Sequence, residues 1–304
     1  MYTGAVREDF FTRPRLMLNR EFSPTGSLMA AATSERMITS ENILNILITQ
    51  DGYAENYLAA LLNSKLLSWI YHNQSEQELG AERGKVNQDV LKKLPIMRTD
   101  ANTQPFERSR LGSQMRREVE QQMEGIHSVK DMIGLDVRFT KLLELVEANL
   151  PNGKEIIHDL LSTLAESISE QIERRSGISR NFWRDLAGAA GAELYKTLKD
   201  KEAREDSLAA HTACQPFVNA NSVRGRTLDA SLGWNEEAYL AFVISLAGSQ
   251  PNLSELVGPY RIHAPAYRHR NVLVAAHDWL IDRIVYRLYG LGEDEMAVVD
   301  GVAG

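Results

Sequence analysis

Residues 43–72 read ILNILITQDGYAENYLAALLNSKLLSWIYH, and the change of pattern within them decides the fold class. The first part, 43–49, is β-branched and apolar, and Asp51-Gly52 ends it, which is the signature of a central strand. Beyond the turn the period lengthens. Leu58, Leu61, Leu62, Leu66, Trp69 and Ile70 recur at i, i+3 and i+4, which predicts one amphipathic helix over 54–72. A strand followed at once by such a helix is the start of an α+β domain.

Upstream, residues 14–22 (PRLMLNREF) alternate, with Leu16, Leu18 and Phe22 on one side and Arg15, Met17, Asn19 and Glu21 on the other. That is the period of a half-buried strand. Pro24-Thr25-Gly26 supplies a turn, and Leu28–Thr33 returns as its partner. Downstream, residues 73–86 are polar and carry Gly80 and Gly84, so a loop is expected there. Asn87 then caps a short helical run that Pro95 stops.

From about 106 to 209 the pattern is helical. Segment 154–175 places Ile157, Leu160, Leu161, Leu164, Ile168 and Ile172 on one face, with Gly177 as its expected stop. Segments 180–199, 235–247 and 271–289 also read as helices, and 210–234 as a long loop or a boundary. Gly290 occupies the position of a left-handed cap, with Leu291 as its apolar contact. Glu293, Asp294 and Glu295 open a last short helix, where acids complement the dipole. The expected organisation is an α+β domain at 1–100, small and mixed, followed by a mainly helical region at 101–304.

The whole chain has 304 residues, 34 Lys+Arg against 41 Asp+Glu, a formal charge of −7 and a single cysteine, Cys214. One cysteine excludes a disulfide framework and a Cys-rich zinc site, and fits a reducing, cytoplasmic setting. No apolar run approaches the roughly 18–20 residues of a membrane span. The net acidity argues against a chain that coats DNA indiscriminately. Two acid-free stretches interrupt it, 10–20 with Arg13, Arg15 and Arg20, and 256–277 with Arg261, Arg268, Arg270 and three histidines. Tyr260 and Tyr267 are interleaved in the second, a combination suited to phosphate contact and base stacking, or equally to a solvated loop.

Catalytic motifs are missing. The sequence has no Pro-Pro of the kind that holds a flipped adenine, no P-loop, no HExxH, and no lysine with an acid two positions earlier. Gly188-Ala189-Ala190-Gly191 lies inside a helical pattern and reads as close helix packing. Residues with chemistry of their own are therefore not expected in this chain.

Two stretches carry a resemblance. One is Leu61-Leu62-Asn63-Ser64-Lys65-Leu66, followed by Val86 and then Leu94-Pro95-Ile96. The other is Ile281-Asp282-Arg283-Ile284-Val285-Tyr286-Arg287-Leu288-Tyr289-Gly290-Leu291, followed by Glu293, Glu295 and Val299-Asp300-Gly301. Together, over about 14–100 and 278–301, they resemble the C-terminal target-recognition part of type IIG restriction–modification proteins and related adenine-specific DNA methyltransferases. The resemblance implies a DNA sequence-recognition (specificity) module that positions duplex DNA for a catalytic part on another polypeptide or in a preceding segment. S-adenosylmethionine and Mg would belong to that partner. About 180 residues separate Pro95 from the second stretch, and this helical spacer suggests a docking or homo-oligomerising arm. Asn63, Ser64, Tyr286, Tyr289 and Gly290 are expected to be scaffold, with base-reading groups on loops and edge strands. The candidates for DNA contact are Arg13, Arg15, Asn19 and Arg20, the loop residues Arg83, Lys85 and Asn87, and Arg261, Arg268 and Arg270. Arginine suits guanine, asparagine adenine and lysine phosphate. The alternative from another class is a helical scaffold subunit without DNA contact, motivated by the −7 charge and the amphipathic 136–199 region.

Overall fold

The computed structural model describes residues 12–23, 26–37, 39–50, 52–79, 85–99, 103–202, 231–247 and 253–301. Strands β1 (Arg15–Asn19), β2 (Ala30–Thr33) and β3 (Ile43–Ile46) form an antiparallel sheet in the order β2-β1-β3. Leu16 lies opposite Ala32 and Ile46, and Leu18 opposite Ala30 and Leu44, so one face gathers the apolar side chains. The alternation of 14–22 is thus the pleat of β1. The expectation of a central strand at 43–49 is corrected. Both β2 and β3 pair with β1, which takes the centre, and the residues of β3 are only half-buried.

Helix α1 (Glu55–Asn63) covers the sheet, and α2 (Lys65–Leu79) follows after a break. The single helix expected over 54–72 is therefore two. Ser64 has an extended ψ of 149°, and its hydroxyl donates to Leu61 C=O (2.6 Å) while accepting Leu67 N–H (3.3 Å). One serine ends α1 and caps α2. Helix α2 also runs on through 73–79, where a loop was expected, because no breaker precedes Gly80. The short α3 (Gln88–Leu91) starts at Asn87, whose Oδ1 accepts Asp89 N–H at 2.7 Å.

Helices α4 (Pro105–Glu124), α5 (Leu135–Arg138) and α6 (Thr140–Asn149) lead into α7 (Lys154–Glu202). Then come α8 (Glu236–Ala247), α9 (Leu253–Leu288) and α10 (Glu293–Asp300). Gly177 does not stop α7. An interior glycine costs about 1 kcal/mol relative to alanine, which the buried Ile157, Leu160, Leu161 and Leu164 before it and Phe182 and Leu186 after it outweigh. The break comes instead at Gly191, with φ 77° and ψ 161°. The stretch 256–277, with Pro259 and Pro265, is helical and belongs to α9.

The chain groups into two compact units. The first holds 1–126, 131–169 and 275–304, and the second 127–130 and 170–274. The strands end at Ile46 and helices follow from Glu55 on, and neither unit has a boundary at residue 100. In the first unit, Leu16, Leu18, Tyr57, Leu61, Leu67 and Tyr71 are core. In the second, Phe182, Leu186, Trp234, Tyr239, Phe242 and Tyr260 form their own core.

Candidate nucleic-acid interface

The Leu-Asn-Ser signature acts on the sheet edge. β2 is an outer strand, so Ala30 turns its N–H and C=O away from β1. The Asn63 side chain takes both groups, its Oδ1 accepting Ala30 N–H at 2.6 Å and its Nδ2 donating to Ala30 C=O at 2.9 Å. An amide side chain thereby replaces a missing strand at one register position. Two residues upstream, Leu28 N–H donates to Ser68 Oγ at 3.0 Å. The hairpin is clamped to α1 and α2 at two points.

The second signature docks onto the first. Asp282, Tyr286 and Tyr289 stand at i, i+4 and i+7, on one face of α9 and its last turn. Asp282 Oδ1 accepts Lys65 N–H at 2.8 Å, placing a carboxylate at the first turn of α2. Asp300 gathers Lys65 Nζ (3.0 Å), Tyr286 OH (2.8 Å) and Arg283 (3.0 Å). Tyr289 OH donates to Pro95 C=O (2.5 Å) and accepts Met97 N–H (3.1 Å), which ties the Leu-Pro-Ile segment to the same helix. Gly290 (φ 73°) closes α9 with Leu291 N–H on Tyr286 C=O and Gly290 N–H on Arg287 C=O, both 3.0 Å, the double bond of a Schellman cap. The signature residues are scaffold, and the spacer between the two stretches does not keep them apart.

Burial governs the charges of this seam. It pushes the Asp282 carboxyl up to about 6, against the opposing pull of the Lys65 N–H. Burial would also raise Asp300, but its hydrogen bonds from Tyr286 and Lys65, with Arg283 nearby, hold it below the usual carboxylate range. The Tyr289 hydroxyl is pushed up to about 12 by burial.

A third cluster has the look of a catalytic relay. Arg108 forks onto Asp159 with two 2.7 Å bonds, and Asp159 meets His158 Nδ1 at 3.1 Å. Burial would raise the Asp159 carboxyl, yet the bonds from His158 and Arg108 hold it at about 2. His158 Nε2 already accepts Ala54 N–H at 3.1 Å. The lone pair a general base would use is occupied, so the cluster clamps the start of α7 to the entry of α1. Among the described residues, no group of three or more His, Cys, Asp or Glu side chains is placed to hold a metal, and no helix is long and apolar enough to cross a membrane.

The sequence-derived DNA candidates fall into distinct settings. Asn19, Arg20, Lys85 and Asn87 come together where β1 ends. Arg20 C=O accepts Val86 N–H at 2.7 Å, which joins the first basic stretch to the loop after α2. Asn19 Oδ1 accepts Glu21 N–H, and Asn87 is held by its cap and by Tyr71 OH, which accepts its N–H at 2.6 Å. Lys85 is exposed, and Arg20 Nε is buried without an acceptor. Arg13 is exposed at the opposite end of β1, about 20 Å of extended chain from Asn19. Arg83 lies outside the described residues. Arg15 is fully buried on the second face of the sheet. Its guanidinium donates to Asn45 Oδ1 (3.1 Å), Arg13 C=O (3.3 Å), Glu35 C=O (3.0 Å) and Met37 C=O (3.3 Å).

In the second unit, Arg261 forks onto Glu236 at 2.8 and 2.6 Å. Arg268 donates to Trp234 C=O at 3.0 Å, and Arg270 to Gln171 Oε1 at 2.8 Å. Tyr260 and Tyr267, which the sequence suggested as stacking platforms, are core residues. Tyr260 stacks on Tyr239 with ring centroids 4.3 Å apart. Their tyrosine rings serve packing, because α9 turns them inward.

Residues 2–96 match a family model, that of the TaqI-like C-terminal specificity domain. No curated protein and no solved structure gives a significant match.

Proposed function

We propose that the first unit is a DNA sequence-recognition module of a restriction–modification or adenine-N6 DNA methyltransferase system. It positions duplex DNA for a catalytic part that lies outside residues 1–304. The observation that carries this reading is the match of 2–96 to a specificity domain, reinforced by the docking of 281–301 onto its two signature segments. The chain itself contributes recognition. Base flipping and methyl transfer, with S-adenosylmethionine and Mg, belong to the partner, which acts with this chain in the cytoplasm.

Arg20, Lys85, Asn19 and Asn87 form the reading edge, and Arg83 lies in sequence between α2 and Lys85. Arg20 has the donors for a guanine, and Lys85 is a point charge for phosphate. Arg13 serves the backbone from the far end of β1. Arg15 positions this edge by holding the 35–37 carbonyls, since its own donors are occupied.

For the second unit one observation favours the scaffold reading. Arg261, Arg268 and Arg270 all have intramolecular acceptors. We therefore assign 170–274 to protein contact, with a partner subunit or a second copy, rather than to base reading. The discriminating experiment is salt-dependent duplex binding by the full chain carrying Arg20→Ala with Lys85→Ala, against Arg261→Ala with Arg270→Ala. Only the first pair is expected to lower affinity and the slope of log K against log salt. Equal losses from the two pairs would remove the assignment.

A further inference from the structure

A third stretch without acid, 108–117, reads RSRLGSQMRR and holds four arginines in ten residues, a higher density than in 10–20 or 256–277. It lies beyond the family match, which ends at residue 96, and forms the middle of α4. Packing settles the inner side of that helix. Gly112, Met115, Val119 and Met123 are buried there, Arg108 forks onto Asp159, and Lys141 Nζ donates to Glu118 at 2.5 Å.

The outer side is different. Phe106, Arg110, Ser113 and Arg117 follow at i, i+4, i+7 and i+11 and form one stripe, of which Phe106, Arg110 and Arg117 are exposed. Among the described residues neither Arg110 nor Arg117 meets a carboxylate, and Arg117 Nε donates to Ser113 C=O of its own helix at 3.2 Å. Arg261, by contrast, is neutralised by Glu236. Glu107 flanks the start of the stripe and Glu120 its end, with no acid between. Phe106 is the large apolar side chain that α4 exposes. One such anchor is too few for a protein interface, whose centre is apolar and depleted of charge. Solvated arginines with serine and glutamine between them are the groups that hold phosphate.

We propose that the outer face of α4 binds the phosphate backbone of duplex DNA, with Arg110 and Arg117 each taking a phosphate and Ser113 and Gln114 beside them. Seven residues of helix rise about 10.5 Å, close to three base-pair steps of about 3.4 Å, so the two guanidiniums match phosphates along one strand. The contact rests on the duplex-binding part of the reading above and carries no sequence information of its own. In a chain of formal charge −7 it adds attraction for phosphate outside the specificity domain.

The test is binding of a random-sequence duplex pool by the full chain between about 50 and 200 mM salt. The parent is compared with Arg110→Ala plus Arg117→Ala and with Arg110→Lys plus Arg117→Lys. Both side chains are exposed, so the variants should keep the parent's circular dichroism. The alanine pair is expected to reduce the steepness of log K against log salt by about 1.8, two phosphates at about 0.9 each, and affinity at about 100 mM salt by at least tenfold. The lysine pair keeps the charge and should keep the steepness. Sequencing of the bound duplexes should show the parent's preference unchanged in the alanine pair. An alanine pair that binds like the parent would overturn the contact, as would a lysine pair that loses as much as the alanine pair. A changed sequence preference would make the two arginines base readers and overturn it equally. The recognition reading fails separately: a parent that binds duplex without preference contradicts that reading, while the salt dependence still decides the α4 contact. A parent that binds no duplex overturns both.

Discussion

Asp282 accepts the backbone N–H of Lys65 at 2.8 Å, across 217 residues of chain. The contact places a buried carboxylate at the start of α2, in the middle of the Leu-Asn-Ser-Lys signature. A domain that begins near the N-terminus is thus completed by a helix near the other end of the sequence. Replacing Asp282 with Ala should cost about 1–3 kcal/mol, the usual range for stranding a buried donor. Asp282→Asn keeps the acceptor oxygen and should cost less at neutral pH. Urea unfolding of both variants checks the order.

The same carboxyl makes a signed prediction about pH. Burial holds it at about 6 in the fold, against about 3.9 in the unfolded chain. Between those values the native state binds more protons. Stability therefore falls as pH rises from about 4 to about 6, by on the order of 2–3 kcal/mol for this group. Asp159, held at about 2, has the opposite sign. Its contribution is present above about 4 and is lost as pH falls toward 2. Thermal denaturation from pH 3 to 8 should show the decline above pH 4 flattened by Asp282→Asn. An unchanged profile would contradict the assignment.

Asn63 should matter through Ala30. Asn63→Ala leaves both edge groups of Ala30 without their partner, at a cost of about 1–2 kcal/mol. Asn63→Asp keeps the acceptor but turns a carboxylate oxygen toward Ala30 C=O, and should be at least as damaging. Exchange of the Ala30 amide, measured by NMR, should accelerate in both variants before global unfolding.

Arg15 and Arg20 are five residues apart and should behave as opposites. Arg15→Met removes donors from three backbone carbonyls and from Asn45, with an expected loss of about 2–4 kcal/mol of stability. Arg20→Ala leaves an intact backbone pairing with Val86 and should change stability by less than about 1 kcal/mol. Its effect falls on duplex affinity. Circular dichroism and fluorescence anisotropy on the two variants separate the roles.

Much of the first unit is legible in the sequence, for physical reasons. The pleat of β1, the Asn87 cap and the Gly290 cap are local rules, and local rules are written in neighbouring residues. The Ser64 break was hidden because the apolar spacing of Leu58 to Ile70 continues across it; only the hydroxyl's two bonds reveal it. Gly177 misled because a cap signal means little when apolar faces bury the helix on both sides of it. The core role of Tyr260 and Tyr267 is not legible, since sequence shows that they alternate with arginines, not which way α9 turns them. Least legible was the Lys65–Asp282 seam. No periodicity links residues so far apart; only the resemblance connects the two stretches, which the expected division at residue 100 separates.

The measurement that bears most directly on the account is selection from a randomised duplex pool by the full chain, followed by sequencing of the bound fraction. Enrichment of one defined motif is expected, with loss of that enrichment at particular positions when Arg20 or Lys85 becomes alanine in a chain that remains folded. Recovery of no preferred sequence by a folded chain, alone and together with a catalytic partner, would contradict it.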